Sequence, residues 1–383
     1  MPSPSSTGQA IARLHHMTRM EVSGPSMIGP LLQALHGVIG FDSSAYMHPA
    51  DTGDLAVHME VPTVQAVVAD YFDPRILRSE RQVLVRSSRD FDEAVRYEQG
   101  PQLLGQLVRV PMPELERSDF YNVVMRPMGA TDCMSLVLRT PRGQGIGALK
   151  FYREAGSPAF GPDEVAALSR LEPCLAHILQ DDAQASANDS EAHSQGMLIT
   201  TPQGRLLWLS PEAEALLPLA FGWRWRRGAG LPQELQELLQ HMRAQQPIGL
   251  PTREVRTVHG DFSVRATPMK AATGMGQAVG IHIMQRVPRE ARLQAFLQTQ
   301  SLSQRQQELA YWLALDLPES QIAVRMHISA NTVVYHRRQL YNSLGLQDRG
   351  ELMRWLSAQG SGWPTESAPA ALQQGNAGQQ ACG

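Results

Sequence analysis

Residues 302–356 read LSQRQQELAYWLALDLPESQIAVRMHISANTVVYHRRQLYNSLGLQDRGELMRWL, and the stretch carries its own punctuation for four helices. Ser303 is placed to cap a first helix whose apolar positions are Leu309, Trp312 and Leu313. Leu317 to Met326 forms a short second helix, and His327-Ile328-Ser329 is a tight connector into a third. Ser329 caps that helix, which runs from Ala330 to about Ser343, and Gly345 ends it because glycine accepts a left-handed backbone without steric cost. Asp348 opens a fourth helix, with Leu352, Trp355 and Leu356 turned inward.

Two short helices joined by a three- or four-residue turn are what major-groove reading needs, since an α-helix fits that groove and offers its outer face to base edges. Helical spacing buries Val333, Leu340 and Leu344 of the third helix and half-buries His336. The side chains left outside are Asn331, Val334, Tyr335, Arg338, Gln339 and Asn342.

Leu302-Ser303, Arg305, Glu308-Leu309, Ile322-Ala323, Ile328-Ser329, Thr332-Val333, His336-Arg337, Leu340, Leu344-Gly345, Arg349 and Glu351-Leu352 recur in order without a gap. In this the segment resembles the LuxR-type helix-turn-helix family, an all-α four-helix domain. The resemblance implies a recognition helix in the major groove, binding as a homodimer on two-fold sites, and a fourth helix that supports dimerisation. Carried over by position, Val334, Tyr335 and Arg338 reach bases, while Thr332, Arg337 and the turn at Ser329 hold phosphates; Asn331 and Asn342 complete the DNA-facing set. The chain departs from the family at Val334, where lysine is usual, at Gln304 for proline, at Gln306 for glutamate, and at Tyr341-Asn342-Ser343 for basic residues. Arginines 305, 325, 337, 338, 349 and 354 face Glu308, Asp316, Glu319, Asp348 and Glu351, a near balance that lowers non-specific affinity and flattens its salt dependence.

The whole chain gives no such signal. With 383 residues, 43% hydrophobic and 19% charged, it is long enough for two or three cores, and its net charge of −3 leaves any DNA binding to a local segment. Nearly every basic side chain is arginine; the only lysines are Lys150 and Lys270. Cys133, Cys174 and Cys382 form no CxxC pair, so neither a disulfide framework nor a zinc cluster is expected. No apolar run has the length of a membrane span or a signal peptide, which points to a cytoplasmic protein.

The fold class expected is multidomain: two α/β sensory domains followed by the all-α unit. Residues 1–22 lack apolar periodicity and are expected to be disordered, as is the Gly/Gln/Ala-rich tail 360–383. Residues 23–180 resemble a GAF domain through Asp119-Phe120-Tyr121 before a hairpin (133–140 and 146–152), Ile146-Gly147-Ala148-Leu149 on its second strand, and Phe160-Gly161-Pro162-Asp163-Glu164 before the last helix. After a polar linker, 181–195, residues 196–287 resemble a PAS domain in order and length: a hairpin, a helix capped by Ser210 with Pro211 at its first position, and two strands, 254–266 with a kink at Gly260 and 278–284. A connecting helix, 288–300, presents Arg292, Leu293, Phe296 and Leu297 for dimer contacts and leads into the helix-turn-helix unit, 301–359.

Other features read as packing. Phe221-Gly222-Trp223-Arg224-Trp225-Arg226-Arg227-Gly228 interleaves aromatic and basic groups, a pattern able to stack on nucleic acid, but it fits better a loop packing on its own sheet, and Cys133 fits a buried thiol. No P-loop, HExxH, GxSxG or dinucleotide motif occurs, so no enzyme, metal site or cofactor is expected. The absence of tryptophan before Trp208 argues against an acyl-homoserine-lactone sensor. The function expected is a one-component regulator that reads promoter DNA through residues 330–343. Its partners are double-stranded DNA and a second copy, with RNA polymerase and an unidentified small-molecule ligand as further candidates. The alternative is a protein-interaction module whose helix-turn-helix no longer binds DNA.

Overall fold

The computed structural model describes residues 4–20, 22–50, 55–61, 65–87, 89–180, 192–226, 228, 230–244, 251–270 and 277–358. The chain divides into two compact units, Met1–Ala291 and Arg292–Gly383.

The first unit begins with a helix, α1 (Pro4–Met17), where disorder over 1–22 was expected. Ala10, Leu14 and Met17 recur at i, i+4 and i+7 and are buried, so the segment has a core-facing stripe after all. It packs on α2 (Ile28–Leu35) and on the long α8 (Pro162–Leu179). Between these lie β1 (Ser43–Pro49), β2 (Leu55–Met59), α3 (Gln65–Tyr71), α4 (Pro74–Val83), α5 (Phe91–Tyr97), β3 (Gln102–Leu103), α6 (Leu104–Leu107), α7 (Met112–Leu115), β4 (Ala130–Arg139) and β5 (Gly145–Glu154). The strands pair in the order β2-β1-β5-β4-β3, all antiparallel, and the expected hairpin is β4–β5. On β5, Leu149, Phe151 and Arg153 alternate with Ala148, Lys150 and Tyr152, as a pleated strand requires. Arg153 ties the first set to α8 through Glu164, while Ala148, Lys150 and Tyr152 line hollows walled by the segment from α3 onward.

Most of the expected linker, 181–191, lies outside the described residues, and the next strand, β6 (Ala192–Thr200), starts earlier than expected. It is followed by β7 (Leu206–Leu209), α9 (Pro211–Phe221), α10 (Gln233–Ala244), β8 (Thr252–Thr257), β9 (Gly260–Lys270) and β10 (Gln277–Arg286). The cap is as expected: Ser210 Oγ accepts from the Ala213 N–H at 3.1 Å. The single strand expected at 254–266 is instead a hairpin. Gly260 sits in its turn with φ +107°, and a Cβ there would lie 2.4 Å from the Arg286 carbonyl oxygen, so only glycine fits. The order β7-β6-β10-β9-β8 repeats that of the first sheet, a duplication of topology that the sequence does not display as a repeat.

Trp225 packs on the core of this second lobe, whereas Trp223 stacks on Phe72 of the first at 4.7 Å, so the loop holding them is partly a clamp between lobes. Arg224 pairs with the buried Glu234 at 2.8 Å. Both aromatic rings of this loop are thus used in packing.

The helix α11 (Arg289–Thr299) corresponds to the expected connecting helix. Leu293 and Leu297 are fully buried in the single chain, which removes them from the set expected to meet a partner copy. Phe296 meets the Trp355 ring at a tilt of 57°, with 5.3 Å between centroids. The remainder of the second unit is α12 (Gln304–Ala314), α13 (Glu319–Met326), α14 (Ala330–Leu344) and α15 (Arg349–Ala358). Its core is Leu309, Trp312, Ile322, Met326, Val333, Leu340, Leu352 and Leu356, all buried. Leu344, expected inside, is half-buried, and Tyr341 takes the interior place.

Candidate nucleic-acid interface

The geometry of the second unit follows from its helix ends. Ser303 and Gln306 form a reciprocal cap: the Ser303 N–H donates to Gln306 Oε1 at 2.8 Å, and the Gln306 N–H donates to Ser303 Oγ at 3.4 Å. The Gln306 amide also donates to Ser343 Oγ on α14 at 2.8 Å, a bond that a glutamate could not make. Two departures from the family pattern, Gln306 and Ser343, are therefore partners.

Between α13 and α14 the chain turns at His327, which adopts a left-handed backbone with φ +53°. Ser329 then accepts from the Thr332 N–H at 3.1 Å, and its hydroxyl lies 2.8 Å from the Thr332 hydroxyl. These bonds satisfy an otherwise orphaned amide in the first turn of α14 and fix the angle at which it leaves the connector. Gly345, with φ +68°, closes the helix.

The eight predicted site residues fall on one helix and its cap, but not all are equally available. Ser329, Asn331, Tyr335, Arg338 and Asn342 are exposed, and Thr332, Val334 and Arg337 are half-buried. Tyr335 is 57% exposed, an aromatic ring standing in solvent without a covering element. Gln339 donates to its hydroxyl at 2.6 Å, one turn along, so the ring is held in position. Arg338 makes no ion pair with any described residue. Arg337, by contrast, is bound by the Glu319 carboxylate at the start of α13. The residue expected to hold phosphate thus has an internal anion on it, a link that joins positions 18 apart and left no trace in the local pattern. Beyond the predicted set, Val324 on α13 is 73% exposed, an apolar side chain beside the same turn.

Residues 300–356 match the family model of bacterial regulatory proteins of the luxR family. Residues 300–356 are a LuxR-type domain. The family is one of regulatory proteins rather than enzymes, and the match spans α12, α13, α14 and all but the last two residues of α15. The rest of the chain lies outside that match, and no curated protein matches the chain.

Among solved structures, the chain is similar to Escherichia coli SdiA, at 12% identity over 92% of this chain and 98% of that one, with a TM-score of 0.30. It is also similar to a Vibrio cholera VqmA–ligand–DNA complex, at 16% identity over 44% and 85%, with a TM-score of 0.24. A third likeness is to the Vibrio cholerae VqmA dimer without target DNA, at 16% identity over 48% and 90%, with a TM-score of 0.17. With scores this low, the family assignment extends to residues 300–356 and no further.

No helix among the described residues is long and apolar enough to cross a membrane.

Proposed function

We propose that the protein is a one-component transcriptional regulator that binds operator DNA through α14, under control of the two lobes of its first unit. The observation that carries the reading is the outer face of α14 in a LuxR-type domain: exposed Asn331, Tyr335, Arg338 and Asn342, with Arg338 free of any acidic partner among the described residues. Arg338 can donate two bonds to guanine, and the half-buried Val334 can meet a thymine methyl. Asn331 and Asn342 flank them, while Ser329, Thr332 and Arg337 are assigned to phosphates.

The first lobe is read as GAF-like and the second as PAS-like, supported by two five-stranded antiparallel sheets of the same strand order. A second copy of the chain is assigned as partner, so that two recognition helices meet a two-fold site. RNA polymerase is assigned as a later partner at the promoter.

The test is selection of bound sequences from a random duplex pool by the full-length protein, at low and near-physiological salt, beside Arg338→Ala. A two-fold-symmetric motif is expected for the wild type. Losing one bidentate contact costs about 1–3 kcal/mol, so the variant should bind that motif roughly 5- to 150-fold more weakly. No motif at either salt, or an undiminished one in the variant, would leave the domain as a protein-docking module.

Glu319→Gln is expected to act in the opposite sense. It releases Arg337 and removes a negative charge next to α14, so affinity for arbitrary duplex should rise and the slope of log affinity against log salt should steepen by about 1. The pair is about a third exposed on each side, so the cost in stability should stay under about 1 kcal/mol. Salt-dependent fluorescence anisotropy on a non-specific duplex reads this directly, and an unchanged slope would remove Arg337 from the phosphate contacts.

A further inference from the structure

The two lobes of the first unit leave a cleft of about 590 Å³ between them. Small-molecule sites run to roughly 300–1,000 Å³, so the cleft has the room of one. Each lobe offers it the edge strand of its sheet, β2 from the first and β8 from the second, and the end of α9 completes the wall. Two ring contacts join the lobes beside it. His58 on β2 meets His259 in the β8–β9 turn edge-on with 5.6 Å between centroids, and Phe72 stacks on Trp223 at 4.7 Å. Between them the lining is largely apolar, with Leu55 and Val57 from one lobe and Leu219 and Val258 from the other.

Eight ionisable side chains border the cleft: His48, His58, Glu60, Arg224, Arg253, Glu254, Arg256 and His259. Arg224 is held by Glu234, and Glu60 is bound by His36 at 2.8 Å and by the Ser44 hydroxyl at 2.7 Å. His48 is buried and stacks on Tyr46 at 5.1 Å. Successive residues of a strand face opposite ways, and Val255 belongs to the core of its lobe. Arg253 therefore shares the face of Val255, while Glu254 and Arg256 stand exposed on the other. Burial holds His58 down to about 4 and lowers His259 as well, so both imidazoles are uncharged near neutral pH.

That leaves Arg253 as the charge the cleft does not balance. It is half-buried and makes no ion pair or hydrogen bond with any described residue. A guanidinium presents its N–H donors in a planar fork that matches a carboxylate, and it has already given up part of its hydration here. Arg253 and Thr257 lie four residues apart on β8, about 13 Å along an extended strand, and His259 lies beyond them. An occupant reaching from the arginine to the imidazoles is accordingly elongated, with an anionic head and an apolar body.

We propose that this cleft is the ligand site of the regulator and that it takes a medium-chain carboxylate, whose head group accepts two N–H bonds from Arg253 while its chain lies between Leu55 and Val57 of the first lobe and Leu219 and Val258 of the second. A molecule so bound touches both lobes and favours the arrangement of them in which both contacts are made. The inference rests on the reading of the first unit as sensory and names the class of molecule sensed.

Isothermal titration calorimetry of the full-length protein tests it with decanoate, with decylamine as a cation on the same chain, and with acetate as the head group alone. Decanoate is expected to bind and decylamine is not, while acetate should bind at least about tenfold more weakly for want of the buried chain. Arg253→Gln should weaken decanoate at least about tenfold, the loss expected for charge-assisted hydrogen bonds. Arg256→Gln, on the opposite face of the same strand, should leave the affinity unchanged. Arg253→Lys keeps the charge without the fork, so it should lose part of the affinity, and it keeps the test open if Arg253→Gln fails to fold. No binding of decanoate, equal binding of decylamine or acetate, undiminished binding by the Arg253 variants, or an equal loss in Arg256→Gln would overturn the assignment. Operator binding by the same preparations is scored separately, so a failed ligand site with intact DNA binding is distinguished from failure of the regulator reading itself.

Discussion

Trp312→Ala should unfold the LuxR-type domain and leave the first unit folded. The indole is fully buried in α12, with the Tyr311 ring edge-on at 4.8 Å and the Arg325 guanidinium of α13 over its face at 4.6 Å. Truncating a buried tryptophan costs about 3–5 kcal/mol, and loss of the cation–π contact adds to it. A domain of this length holds only roughly 3–9 kcal/mol in total, so the substitution removes much or all of its stability. The structure divides into two compact units, and the effect should stop at their boundary. Thermal unfolding followed by circular dichroism is expected to lose the transition of the helical unit and keep the other, and duplex binding should vanish. Val324→Ala on α13 is the matched control, since a side chain 73% exposed leaves no cavity. Wild-type melting of Trp312→Ala would mean that the four helices do not depend on this core.

That such a prediction can be made from α12 at all reflects how local its signals are. Ser303, Ser329 and Gly345 mark helix ends through bonds to residues within three or four positions, and those ends could be read from the sequence. The same holds for Ser210 and Pro211 at α9 and for Pro162 at α8. Strand β1 could not be read, because its first six residues are all buried and Ser43, Ser44 and His48 stand among them, so no alternation of apolar and polar residues exists to detect. The β8–β9 turn passed for a kink because Gly260 alone announces it. The missed parts of the candidate site are all long-range. Glu319 on Arg337 and Gln306 on Ser343 depend on which elements meet, and spacing along the chain carries no information about that.

Arg153→Met is expected to be the most damaging single change in the first unit. The guanidinium is 6% exposed, and its Nε and Nη2 donate to the Gly40 carbonyl at 3.0 and 2.7 Å. Its Nη1 donates to the Pro158 carbonyl at 2.6 Å, Nη2 also reaches Glu164 Oε1 at 3.2 Å, and the group lies 4.1 Å over the Phe160 ring. One side chain thereby joins β5, the loop before β1 and the first turn of α8. Methionine fills the volume but leaves the buried Glu164 carboxylate without its cationic partner and the Gly40 and Pro158 carbonyls without the guanidinium's donors, a loss of about 3–5 kcal/mol. In a unit of this size that lowers the melting temperature by roughly 5–8 °C. Replacing both partners, as Arg153→Met with Glu164→Leu, should recover part of the loss, because no charge is then stranded.

The pair also sets a pH dependence. Burial alone would raise the Glu164 carboxyl, but backbone N–H bonds from Glu164 and Gly161 and the Arg153 guanidinium outweigh it and hold the group below its ordinary value. A carboxyl depressed in the folded state contributes its stability in full above the ordinary glutamate range and loses it as the pH falls from there through the depressed value. The wild type should therefore weaken on acidification below about pH 4.5, and Glu164→Gln should show a shallower decline over the same interval. Equal acid slopes for the two proteins, measured by urea unfolding at each pH, would assign the acid sensitivity to other carboxylates.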